Sequence, residues 1–532
     1  MIKGGEVKNM NSEIVYIKDK NLKEAINNAL GKKYDDDEVT KEEMESLKSF
    51  SAENCNIVYL DGLEYATNLE ILNLGCNNII DISPVKNLVN LTKLNLNRNQ
   101  IMDIKSLKYL INIEDLRLDE NEIDDIGPLK DMLKLRYLNL SFNCIEEVAA
   151  ITGMKNLSAL MLGGNDINSV PSLKNLKKLI ILELGGNNID DISFLEDMFS
   201  LRSLCLESND IEDITPLNSL IYLTEVNLNY NYIENVEPLK NLVDLTKIKL
   251  ASNRIEGINI LKNMQELRLL DISENAVENI NSLKTLTKLN DLNLANNGIE
   301  SIDAIKCLVN LSLVNLSDNN IKDIFSLKDL INLRKLYLIG NKLENVLPIK
   351  DMVELNELYL ASNNITDIIG LNNLVGLKKL SLADNRIENI EPLGRLNDLV
   401  NLQLDGNNIK CLSPLRNLKN LSYLNLNSNK IECIEDLSCL INLEQLCLND
   451  NMIKDISDLK NYDSIMDLSV LNQRVYVSNF AGSKINGYRE DSIELHSVMI
   501  NEDCYMQDNE MRIARFKDTD TLFGGEIILS LH

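Results

Sequence analysis

Histidine is nearly missing from this chain of 532 residues: one stands at position 496 and the other is the last residue, His532. The sequence also has no Walker glycine loop, no H-E-x-x-H and no nucleophile elbow, so the usual acid–base, zinc and acyl-transfer constellations have nothing to build on. The expectation is a protein that is not an enzyme, with no catalytic residue, no metal and no cofactor. Basic residues are in deficit, 54 against 81 acidic for a net charge of −27. That balance excludes a general nucleic-acid binder, which needs clustered Lys and Arg on phosphates. No apolar run reaches transmembrane length, and the N-terminus lacks the roughly 7–15 apolar residues of a signal peptide. As written, the chain is expected to be cytoplasmic without membrane insertion, or secreted or at the cell surface if its start is truncated. The ten cysteines form no C-x-x-C pair, and only Cys411 and Cys433 hold the same slot in consecutive repeats. Two independent thiols are expected there rather than a disulfide.

What the sequence has in abundance is one pattern. From 69 to 464 the motif L-x-x-L-x-L-x-x-N-x-I-x-x-I-x-x-L-x-x-L-x-x runs eighteen times in 22-residue steps without insertion or deletion. A fixed period of this length with this Leu and Asn spacing predicts a leucine-rich repeat solenoid. In the repeat 201–222, Leu204 and Leu206 flank outward Cys205 as a half-buried strand does, and Leu201, Ile211, Ile214, Leu217 and Leu220 complete an inward set. Successive strands are expected to pair into a parallel sheet on the concave face of a shallow horseshoe. Asn209 and its equivalents, from Asn77 to Asn451, stand where the chain leaves the sheet, so their amides are expected to bond turn backbone in an internal ladder. The return half is too short for a full helix and carries Pro84, Pro128, Pro216, Pro238, Pro348, Pro392 and Pro414 in equivalent places, which fits short 3₁₀ turns on the convex face.

Both ends of such a stack need covering. Residues 1–46 form an N-terminal segment and helical cap: a short strand at Ile14 to Ile17, an amphipathic helix from Asn21 to a stop at Gly31, and a second helix from Thr40 to Leu47 with Glu43 in capping-box spacing. The repeat region is 47–473, with a degenerate first repeat at 47–68, in which Cys55 replaces the Asn, and a terminal half-repeat at 465–473. Residues 474–532 are expected to be a small β-rich C-terminal module, with strands at 474–480, 492–500, 511–516 and 525–531.

The run Asp-Glu-Val-Thr-Lys-Glu-Glu-Met-Glu-Ser-Leu from Asp37, then Asp61-Gly-Leu-Glu-Tyr-Ala-Thr-Asn-Leu-Glu-Ile-Leu-Asn-Leu74 and Asp81-Ile-Ser-Pro84, resembles the bacterial internalin family, in helical cap and 22-residue repeats alike. The resemblance implies recognition of a partner protein by the concave sheet and a shortened immunoglobulin-like domain at 474–532. The chain departs from the family in showing neither a signal peptide nor an L-P-x-T-G sorting motif. The repeat alone also fits a cytosolic regulatory subunit or adaptor that docks on an enzyme such as a phosphatase.

Where most outward strand positions are small or polar, large side chains mark candidate binding sites. Leu313, Tyr337, Ile339 and Tyr359 occupy outward slots of three adjacent strands, flanked by Arg334, Lys335 and Lys342, an interface-like composition. A second candidate is Tyr137, Met161 and Ile181 beside Gly163, Gly164, Gly185 and Gly186, which would leave a shallow apolar hollow. Tyr230 and Tyr232 are a third, on the loop edge. The third residue after the ladder Asn is acidic in eleven repeats, five times running at Glu212, Glu234, Glu256, Glu278 and Glu300. This stripe reads as a solvated face rather than a docking flank. The expected function is non-enzymatic binding of a partner protein by a monomeric scaffold.

Overall fold

The structure, a computed structural model, describes residues 13–34, 37–453, 467–469, 511–515 and 526–530. The described chain is a leucine-rich repeat solenoid divided into two compact units, Met1–Ile255 and Glu256–His532, built on one plan. In the first, three-residue strands from Ser49–Ser51 to Lys247–Lys249 follow one another every 22 residues; in the second they run from Leu269–Asp271 to Asp467–Ser469. Neighbours pair parallel and in strict register, as in Ser203↔Glu225 and Lys335↔Glu357. All seven inward aliphatics of the repeat at 201–222 are buried.

The buried asparagines set this register. Asn319, 5% exposed, donates through Nδ2 to the carbonyls of Leu316 and Ser317 in its own turn and to Leu294 of the preceding repeat, while its Oδ1 accepts from the Ile299 amide. The same bonds recur from Asn77 to Asn253 and from Asn297 to Asn451, for example at Asn209 and Asn407. Each amide therefore closes the backbone of two repeats at once, and a residue inserted between Ile299 and Leu316 would misplace the two partners in the preceding repeat.

Three further devices repeat with the same period. The residue before each ladder Asn, from Cys76 to Asp450, has a positive φ; Gly164, Gly186, Gly340 and Gly406 occupy four of these positions at no steric cost. Two residues ahead of many 3₁₀ turns an Asx side chain accepts a backbone amide, as Asp81 does from Ser83 and Asp213 from Thr215. On the return side a second, interrupted asparagine row ties some repeats to their predecessors: Asn90 donates to the Thr67 carbonyl, Asn112 to Val89 and Asn332 to Val309, with Ser200 taking the same place toward Lys177.

All seven equivalent prolines lie in the first positions of 3₁₀ turns, where a missing N–H costs nothing. Among the described residues, only the stretch between Ala159–Met161 and Ile181–Glu183, which contains Pro171 out of register, forms no such turn.

At the N-terminal end, strand Ile14–Val15 pairs antiparallel with Val39–Thr40, and helices Lys20–Ala29 and Lys41–Ser46 follow. The capping box forms in both directions between Thr40 and Glu43. Asp19 caps the first helix with one carboxylate oxygen and takes the Val58 and Tyr59 amides with the other. It thereby fastens the cap to the first repeat. Burial works against its charge, but these four amides outweigh burial and hold its pKa below the ordinary value. At the other end, Met511–Arg515 and Glu526–Ser530 pair antiparallel. The strands expected at 474–480 and 492–500, and His496, lie outside the described residues.

Replacing Asn319 with Ala strips the Ile299 amide and three carbonyls of their buried partner. The expected loss is about 2–4 kcal/mol, read as a lower urea midpoint by circular dichroism; a change at exposed Lys322 should leave the midpoint in place.

Candidate functional site

Strict register stacks side chains of the same slot at strand spacing. In the second unit this places Asn315, Tyr337, Tyr359 and Ser381 in one outward row, and Leu313, Lys335, Glu357 and Lys379 in the row beside it. The Tyr337 and Tyr359 rings lie parallel, 4° apart in plane and 4.8 Å between centroids. Aromatic pairs left to themselves favour offset or edge-to-face geometry; here the sheet imposes the stack.

Both phenols lean toward Glu357, and each donates to the same oxygen, Oε2, at 3.4 Å from Tyr337 and 3.5 Å from Tyr359. Its other oxygen faces Lys335 Nζ at 3.2 Å and Lys379 Nζ at 3.6 Å. With a side chain only 17% exposed, Glu357 is penalised by burial, yet the hydrogen bond and charge of Lys335, the charge of Lys379 and the Tyr337 hydroxyl prevail. Its pKa falls below the usual carboxylate value and the group stays ionised. The phenols answer in the other direction. Burial and then the Glu357 charge raise both, with Tyr337 pushed up to about 12.

Glu357 and Lys379 were not singled out from the sequence, where each reads as one more charge on a solvated face; the register reveals them as the centre and border of the cluster. Leu313 and Ile339 are half-buried in outward slots on either side, and Arg334 is exposed. Lys342 is directed elsewhere, to Asn320 Oδ1 at 2.6 Å.

In the first unit, Tyr137 and Ile181 share a row with small Ala159 between them, and Met161 stands in the next slot. The Arg117 guanidinium lies 5.0 Å from the Tyr137 ring centre while pairing with Asp115. The neighbouring glycines serve close approach: a Cβ on Gly163 would come 3.1 Å from the Gly185 carbonyl, and the Phe142 ring occupies the space beside Gly164. Phe142, itself 64% exposed, therefore contributes apolar surface where the sequence suggested an open hollow. Tyr230 is exposed at a positive-φ position, and Tyr232 lies beneath the Arg254 guanidinium.

The acidic stripe is exposed at Glu212, Glu234, Glu256, Glu278 and Glu300, with Arg254 reaching Glu212 at 3.9 Å. Cys411 and Cys433 are exposed free thiols. Among the described residues no three His, Cys, Asp or Glu side chains are placed to hold a metal ion, and no helix is long and apolar enough to cross a membrane.

Comparison with known proteins agrees with the repeat pattern. A family model described as leucine-rich repeats in two copies matches residues 67–109, 353–395 and 419–461, and a second leucine-rich repeat model matches 111–167. The chain is a leucine-rich repeat protein. Among solved structures it is similar to the Arabidopsis receptor kinase HAESA in complex with the peptide hormone IDA, at 22% identity over 81% of this chain and 79% of that one, with a TM-score of 0.64. An internalin (inlF) from Listeria monocytogenes is 29% identical over 76% of this leucine-rich repeat protein and 94% of that chain, with a TM-score of 0.38. Internalin C2 of the same organism is 32% identical over 44% and 93%, with a TM-score of 0.36. A search of curated proteins gives no significant match.

The raised Tyr337 pKa sets a pH dependence. The folded state holds the phenolic proton more tightly than the unfolded chain, which releases it near 10.0. The resulting stabilisation is full below that pH and is lost as pH rises toward about 12. Over this window, urea unfolding should show wild-type stability falling more steeply than that of Tyr337→Phe; parallel curves would contradict the assignment.

Proposed function

We propose that this leucine-rich repeat protein is a non-enzymatic scaffold, internalin-like in its helical cap and repeats, that acts as a monomer and docks a partner protein on the exposed face of its sheet at Tyr337 and Tyr359. The observation that carries the reading is the Tyr337–Tyr359–Glu357 cluster. Two aromatic anchors are already stacked and hydrogen-bonded before any partner arrives, so little side-chain freedom remains to be lost on binding. Half-exposed Leu313 and Ile339 extend the apolar floor, and Arg334 and Lys335 edge it; Tyr and Arg are among the residues in which hot spots are enriched. Tyr137, Met161 and Ile181, joined by Phe142, form a secondary contact area of the same kind. Residues 474–532 serve this scaffold as a C-terminal module.

Asn315 stands beside Tyr337 in the same row, whereas Lys306 is exposed on the return side. With a photo-crosslinking amino acid at each position in turn, a discrete protein should be captured from Asn315 and not from Lys306, and that capture should vanish in Tyr337→Ala/Tyr359→Ala. Equal capture from both positions, or capture indifferent to the tyrosines, would contradict the proposal.

A further inference from the structure

We infer that the partner segment seated on Tyr337 and Tyr359 is acidic, a stretch of Asp and Glu with an apolar side chain among them; the inference rests on the docking reading above and names the partner's chemistry. The chain as a whole carries −27, yet the local balance here is reversed. Across the three strands Lys335–Tyr337, Glu357–Tyr359 and Lys379–Ser381, the two positions leading into the tyrosine row hold Arg334, Lys335, Lys378 and Lys379 against one carboxylate, Glu357.

That carboxylate is not open to a cation from outside. Two phenols occupy one oxygen and two ammonium groups flank the other. Among the described residues Lys335 and Lys379 each have one ion-pair partner, Glu357, for three donors, and Arg334 and Lys378 are exposed. Asp291, the next carboxylate along the Lys335 row, stands two strands away, about 10 Å at strand spacing. The site is thus an apolar, aromatic floor with a cationic border on one side.

A basic segment would be drawn to the chain by its overall charge but would meet four like charges at the patch, where short-range terms decide. A neutral apolar segment would cover the floor and leave the cations unpaired. An acidic segment with an apolar residue satisfies both.

The test uses the full chain at low salt and dye-labelled peptides of repeating Glu-Glu-Leu and repeating Lys-Lys-Leu, read by fluorescence anisotropy. The Glu-Glu-Leu peptide should bind, and Arg334→Glu/Lys378→Glu should weaken it at least about tenfold. This pair leaves the Glu357 network in place, so lost binding is not lost folding. Tyr337→Ala/Tyr359→Ala should weaken the same peptide. Failure of the Glu-Glu-Leu peptide to bind, or binding indifferent to Arg334→Glu/Lys378→Glu, overturns the inference. The photo-captured partner separates the two readings. If its capture is lost with the tyrosines and kept in Arg334→Glu/Lys378→Glu, docking stands and acidity falls; if neither variant changes it, both fall.

Discussion

The buried asparagine amide is the interaction on which the rest of this protein depends. Its Nδ2 reaches carbonyls two, three and twenty-five residues back, and its Oδ1 takes the amide of the residue twenty back, as Asn209 does with Glu207, Leu206, Leu184 and Ile189. Those spacings are met together only if every repeat has the same length. A buried peptide group left without a partner costs on the order of 1–3 kcal/mol, so the ladder enforces the absence of insertions seen across the array. The positive φ of the preceding residue follows from the same turn. Side chains as unsuited to it as Tyr230 and Phe142 are held there by neighbouring repeats.

Uniform length converts sequence into rows. Once register is fixed, a residue's neighbours on the sheet face are those 22 positions before and after it. This is why Tyr337 and Tyr359 stack, and why Glu357 lies between Lys335 and Lys379. The architecture thus does two jobs with separate residues. Leu, Ile and Asn inside hold the stack, and the outward slots are free to vary.

The fold was legible because its signal recurs in every repeat and the prolines sit where a 3₁₀ turn tolerates them. The tyrosine pair was legible too, since two large aromatics in one slot stand out against Asn and Ser. Glu357 was not, because acidic residues are common on this surface and its difference lies in what faces it, two Lys and two phenols contributed by three strands. The outer row at Asn90, Asn112 and Asn332 escaped notice for a related reason. Each donates to a backbone carbonyl 23 residues earlier, and a carbonyl leaves no mark in the sequence. Asp19 and Phe142 were missed because their partners, the Val58 and Tyr59 amides and Gly164, are equally faint one residue at a time.

The central claim is that residues obeying the period build the fold and residues departing from it carry recognition. The most direct measurement replaces Tyr337 and Tyr359 with Asn, the residue that fills the same slot at 315 and 293, and follows thermal unfolding and partner binding together. The unfolding midpoint is expected to move by no more than about 3 °C while binding of the captured partner is lost. A large drop in the midpoint with binding retained would contradict it.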